Sequence, residues 1–165
     1  GCALVTGACP GLPYGSVEGA RDAGGLVIGI SPGHNLREHV GQYESPVEGF
    51  DVLVFTGDGL MGRETTAVRT CDIVIIIGGR SGTLGELAIA YEESKIIGVL
   101  EDTGGLADHV EEVIRFVGKD TGAIVIYDKD PESLVSRLLE AYHTYRRPLA
   151  EEISGSLLNT TRLAS

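Results

Sequence analysis

The chain has 165 residues, a formal net charge of −11, 42% hydrophobic residues and no Trp. That length suits one α/β domain with a real core. The acidic balance and sparse aromatics argue against a nucleic-acid binder, which would show a basic face or a base-stacking surface.

Nothing in the chain reads as a membrane span or a secretory signal. The three cysteines, Cys2, Cys9 and Cys71, have no regular spacing. They make neither a disulfide framework nor a zinc site and are expected as reduced, mostly buried thiols in a cytoplasmic protein. His34, His39, His109 and His143 do not cluster, so a surface role is expected for them and no metal site.

The chain opens inside a strand, 3–6, without a methionine, and an upstream segment is expected to precede it. The turn Gly7-Ala8-Cys9-Pro10-Gly11 leads into a helix over 14–23. Its glycines permit positive φ and close backbone approach, which makes Gly7 and Gly11 candidate ligand contacts; a plain structural turn explains them equally well. The G-x-G-x-x-G spacing is absent, and the next strand, 26–31, runs into Ser31-Pro32 and not into an acid for a ribose. NAD is therefore disfavoured, and no Walker sequence occurs. Residues 33–50 form one long polar stretch without periodicity, a lid or a surface excursion.

A strand over 52–56 is followed by Gly57-Asp58-Gly59 and a helix over 60–70. Gly57 and Asp58 are candidates at the same sheet edge. Arg63 falls in the first turn of that helix, where a positive charge opposes the dipole, so it is a candidate for function. The apolar run 72–77 reads as a strand covered on both faces. Gly78-Gly79-Arg80-Ser81-Gly82-Thr83 joins it to a helix over 83–94. A glycine-rich turn at a helix start gathers free N–H groups and the positive dipole end, a site for phosphate. Gly78, Gly79 and Gly82 give freedom of approach, Thr83 offers a hydroxyl and an N–H, Ser81 lies between them, and Arg80 reads as solvated more readily than as a phosphate contact. Glu86, about one turn into the helix, sits where it would be repelled by a bound phosphate, which suggests a catalytic reason for its presence.

Strands over 96–100 and 123–127 and helices over 106–117 and 131–145 complete the pattern, with Asp130 capping the last helix and Pro131 at its first position. The alternation predicts a three-layer αβα, doubly wound parallel sheet with ligands at the carboxyl ends of its strands. Residues 1–148 are expected to form a single domain and 149–165 a tail or arm.

Over roughly residues 3–105 these elements resemble the LOG family of cytokinin-activating nucleoside 5′-monophosphate phosphoribohydrolases, often mislabelled as lysine decarboxylases. Gly82-Thr83-Leu84-Gly85-Glu86 matches the G-T-x-x-E of the family pattern P-G-G-x-G-T-x-x-E, and Arg63 falls where the family carries an essential Arg. Ile77 replaces the motif's proline, the glycine turn is one residue longer, and the family's Arg-Lys pair is Arg63-Glu64 here. These departures look like the divergent branch that includes molybdenum-cofactor carrier proteins.

The resemblance implies a Rossmann-like fold lacking its first strand and helix in this numbering, and a homodimer or higher homo-oligomer. It implies cleavage of an N-glycosidic bond to free base and ribose 5-phosphate without cofactor or metal, with Arg63 and Glu86 catalytic. Gly7, Gly11, Gly57, Asp58, Gly78, Gly79, Arg80, Ser81, Gly82 and Thr83 would bind the nucleotide. The alternative is a non-catalytic carrier or sensor of a nucleotide or phosphorylated cofactor. Amino-acid decarboxylation is rejected, because neither Lys95, Lys119 nor Lys129 is placed to form a Schiff base.

Overall fold

A computed structural model describes residues 1–146; the expected tail lies outside the described residues. Six strands alternate with helices: β1 (Ala3–Thr6), α1 (Leu12–Asp22), β2 (Leu26–Ser31), α2 (Leu36–Gly41), β3 (Val52–Phe55), α3 (Gly59–Thr70), β4 (Ile73–Ile77), α4 (Ser81–Glu92), β5 (Ile96–Leu100), α5 (Val110–Val117), β6 (Ile124–Asp128) and α6 (Pro131–Ala141). A 3-10 turn, Ala107–His109, leads into α5, and a π-helical turn, Tyr142–Arg146, follows α6. All strand pairs are parallel. The Rossmann-like α/β expectation holds, with a difference in pairing. The ladders form two three-stranded sheets, β1-β2-β3 and β4-β5-β6, and none joins β1 to β4 among the described residues.

Covered and open strands differ as their sequences demand. β5 is buried along almost its whole length between α4 and α6. Gly98 in its middle leaves room for Leu138 of α6, whose Cδ1 would lie 2.5 Å from any Cβ there. One core packs Val68, Ile76, Leu87, Ala90, Ile97 and Val99 between α3, α4 and the second sheet, and a smaller one packs Ile96 under Leu134 and Leu138. By contrast, Val52 and Val54 of β3 and Ile75 and Ile77 of β4 are exposed, so these strands have one uncovered face where two covers were expected.

The stretch 33–50 is not wholly irregular, since it carries the short helix α2. Asn35 caps α2 by accepting from the Glu38 amide, and the Glu38 carboxylate accepts from the His34 amide, a reciprocal cap. His39 is fully buried and not a surface residue. Its Nε2 donates to the Pro46 carbonyl at 2.8 Å, which leaves Nδ1 to accept from the Ser31 hydroxyl at 2.9 Å. The imidazole thus pins the polar loop to the end of β2. The cysteines also differ from expectation: Cys2 is exposed, and Cys9 and Cys71 are half-buried.

Candidate functional site

The carboxyl ends of β1 and β4 lead into α1 and α4, and α3 packs against both β1 and α4. Helix α4 begins at Ser81, two residues before the expected position, so Gly82 and Thr83 lie in its first turn. Its N-cap, Arg80, is exposed and makes no capping bond. The amides of Ser81, Gly82 and Thr83 have no hydrogen-bond acceptor among the described residues. Capping normally satisfies such amides, as Asn35 and Asp130 do for α2 and α6.

The turn before α4 is held from behind. The Gly78 amide donates to Thr103 Oγ1 at 2.9 Å, and the carbonyls of Gly78 and Gly79 accept from Ala107 and Leu106. Gly78 therefore shapes the turn and has no amide to offer an anion. Gly79 has φ +98°, and the Thr83 side chain fills the space a Cβ would need. The β3–α3 turn is closed in the same way. Gly57 donates to the Gly33 carbonyl, Asp58 to Thr56 Oγ1, and Gly59 to the Pro32 carbonyl. Asp58 is exposed and its side chain makes no cap to α3. The structure thus separates Gly57, Asp58 and Gly78, whose amides are committed, from Ser81, Gly82 and Thr83, whose amides are free. The β1–α1 turn ends at Gly11, φ +88°, which starts α1 without a side-chain cap.

Arg63 and its neighbour sit between these turns. Because α3 starts at Gly59, Arg63 falls in the second turn and not the first. Its side chain is 7% exposed, and a Cβ on Gly7 would overlap its guanidinium. Gly7 is thus a seat for Arg63. Glu64, the next residue, is 3% exposed and points to the other side, onto α4. A Cβ on Gly82 would lie 3.1 Å from its Oε1, and one on Gly85 2.5 Å from its Oε2. Nε and Nη1 of Arg63 and Oε2 of Glu64 are buried without any hydrogen-bond partner.

Such groups are costly when unpaired. Two of opposite sign, adjacent in sequence and not paired with each other, single out this part of α3. Glu86 lies half-buried one step further along α4. Burial pushes its carboxyl above the ordinary glutamate range and the Arg63 charge pulls it back. Burial, then the Glu86 charge, push Glu64 up as well, again opposed by Arg63. Arg63 and Glu86 therefore share one electrostatic environment, with Glu64 as a third member.

Sequence reasoning missed Glu64. The available signal was the pair Arg63-Glu64 itself, one face of α3 turned to β1 and the next to glycines on α4. Lys95 has a structural role, since its Nζ donates to the carbonyls of Arg69 and Cys71 at the end of α3 and lies away from this edge. Among the described residues there is no group of His, Cys, Asp or Glu arranged to hold a metal, and no helix is long and apolar enough to cross a membrane.

Comparison with known proteins agrees with this architecture. The chain belongs to the SLOG cluster4 family, whose model matches residues 1–135. An uncharacterized protein of Archaeoglobus fulgidus is 31% identical over 101 residues, and the matched region spans 61% of each chain. Among solved structures, the X-ray structure of TM1055 is 27% identical with a TM-score of 0.70, covering 84% of this chain and 77% of that one. The molybdenum cofactor binding protein from the phototrophic bacterium Rippkaea orientalis is 26% identical with a TM-score of 0.64, covering 84% and 76%. The chain thus sits in the divergent, LOG-like branch of Rossmann-like proteins.

Proposed function

We propose that this protein binds a nucleoside 5′-monophosphate at the edge shared by β1 and β4 and hydrolyses its N-glycosidic bond. The observation that carries the reading is the pair of buried, unpartnered charges, Arg63 and Glu64, beside the uncapped start of α4. The 5′-phosphate would lie on the amides of Ser81, Gly82 and Thr83, with the Arg63 guanidinium as counter-charge. Gly11 keeps the approach open, Gly7 makes room for Arg63 and Gly79 for Thr83, and Arg80 reaches from the exposed rim.

Cleavage passes through a ribose with oxocarbenium character. Glu86, ionised, stabilises that charge and orients a water for C1′. The water's hydroxyl ends on C1′, its proton on the departing base, and the C1′–N bond pair leaves with the base. Phosphate binding, remote from this bond, positions it. The Arg63 charge opposes the upward push that burial gives the Glu86 carboxyl.

The test is incubation with AMP and other nucleoside monophosphates, followed by chromatography for free base and ribose 5-phosphate. Glu86→Gln should retain binding and lose turnover. A second reading has its own support. The Rippkaea neighbour binds molybdenum cofactor, and Glu64 stands where the LOG-like pattern has a cation. Tight nucleotide or phosphorylated-cofactor binding without turnover on any monophosphate identifies a carrier. A homodimer through α3 and α4 is supported by exposed Leu60, Met61 and Leu84 at their starts; sedimentation of the full chain tests it.

A further inference from the structure

The Glu64 carboxyl is where the proposed phosphate site departs from a simple anion cradle. Its side chain is 3% exposed, its Oε2 lacks any partner, and its two oxygens rest against Gly82 and Gly85. Gly82 supplies one of the free amides at the start of α4. An ionised carboxylate there stands within a helical turn of a bound phosphate, and two anions at that separation beside a buried side chain repel. Arg63 does not cancel the conflict by pairing, because neither its Nε nor its Nη1 has a hydrogen-bond partner.

The other charged group near Glu64 is Glu86 on α4, also an acid. β1 and β2, which pack against α3 from the remaining side, carry no ionisable side chain. Three negative groups around one guanidinium cannot all stay charged.

We infer that Glu64 occupies the ligand-bound site as the neutral carboxylic acid, so that capture of a phosphate monoester takes up one proton. The proton comes from solvent and goes to a Glu64 oxygen, which turns from a repelling anion into a hydrogen-bond donor toward the phosphate. The site thereby favours phosphate at lower pH and releases it as pH rises. This rests on the reading of the edge as a phosphate site. It agrees with the burial of Glu64, which already favours the uncharged form.

The experiment is titration calorimetry of the full chain with AMP at about pH 7.5, where the ligand's own phosphate is almost fully dianionic, in buffers of different ionisation enthalpy. The wild type should take up about one proton per AMP, and its affinity should fall up to about tenfold per pH unit as pH rises. Glu64→Gln, which is isosteric and always neutral, should take up none and bind with nearly level affinity across the same range. Should that variant not fold, the wild-type profile decides: affinity level or rising between about pH 6 and pH 8 overturns the inference. AMP binding with equal proton uptake in both proteins also overturns it and leaves the nucleotide reading standing. Absence of AMP binding by both proteins overturns both.

Discussion

Gly7→Ala separates the site from the fold. The backbone at Gly7 is not in the left-handed region, so alanine fits its conformation. What the added methyl meets is the Arg63 guanidinium, the far end of a flexible side chain. That group must swing away. It gives up no hydrogen bond at Nε or Nη1, because it has none, and it moves toward water, which relieves a buried charge. The stability change should therefore stay within about 1 kcal/mol, a Tm shift of about 2–4 °C for a chain of this size.

Binding should respond differently. A charge-assisted hydrogen bond to phosphate contributes about 1.5–3 kcal/mol, and each 1.4 kcal/mol is about tenfold in affinity. AMP should then bind about 10- to 150-fold more weakly. Thermal denaturation and calorimetry on the same preparation check the two halves. Wild-type affinity in Gly7→Ala would falsify the role given to Arg63. A large loss of stability would show that the buried guanidinium holds the fold and not a ligand.

Gly79→Ala should lower stability and binding together. At φ +98°, with Thr83 packed into the space of the new Cβ, it should lose about 1–3 kcal/mol from strain alone, read by chemical denaturation, and binding should fall with it. His39→Ala should cost about 3 kcal/mol, because it empties a fully buried space and strands the Pro46 carbonyl and Ser31 hydroxyl; an unchanged denaturation midpoint rules out that the imidazole pins the loop. Asp128 accepts from Ser133, from the Asp130 amide and from Arg137, which together lower its pKa from 3.8 to about 2. The unfolded chain therefore binds its proton first, so this contribution is present above pH 3.8 and lost as pH falls toward 2. Asp128→Asn should flatten acid unfolding in that window.

What the sequence showed and what it hid follow from range of interaction. The apolar runs and turn glycines made the βα alternation legible, since each is a local signal. Arg63 and Glu86 stood out in the sequence as charges near glycine-rich turns, although α3 starts one residue earlier than expected and places Arg63 in its second turn. Which turn amides remain free was not: Gly78 and Thr103 are far apart in sequence, as are Gly57 and Gly33, and only the folded chain brings them together. Residues 33–50 hid α2 because their order depends on one histidine reaching across to Ser31 and Pro46. That no ladder joins β1 to β4 among the described residues was equally invisible, since strand pattern says nothing of which edges meet.

Glu64 shows why the site depends on α3 more than on either glycine turn. Consecutive residues of a helix point about 100° apart. Arg63 therefore reaches back to Gly7 at the end of β1, while Glu64 reaches forward to Gly82 and Gly85 on α4. These contacts lie on opposite sides of the break between the two sheets. With no strand pairing across that break among the described residues, helix α3 and its two unpaired charges span it. A phosphate accepting from α4 amides on one side and from the Arg63 guanidinium on the other would join the halves. Ligand bound only to the folded state adds its own binding free energy to stability, and here that energy acts where backbone hydrogen bonding is absent. Hydrogen exchange at β1 and β4 should therefore slow more on adding AMP than exchange at β5, which is already sealed between α4 and α6. Equal protection of all three strands would mean that the ligand stabilises the fold as a whole and that the charged joint on α3 has no special part in binding.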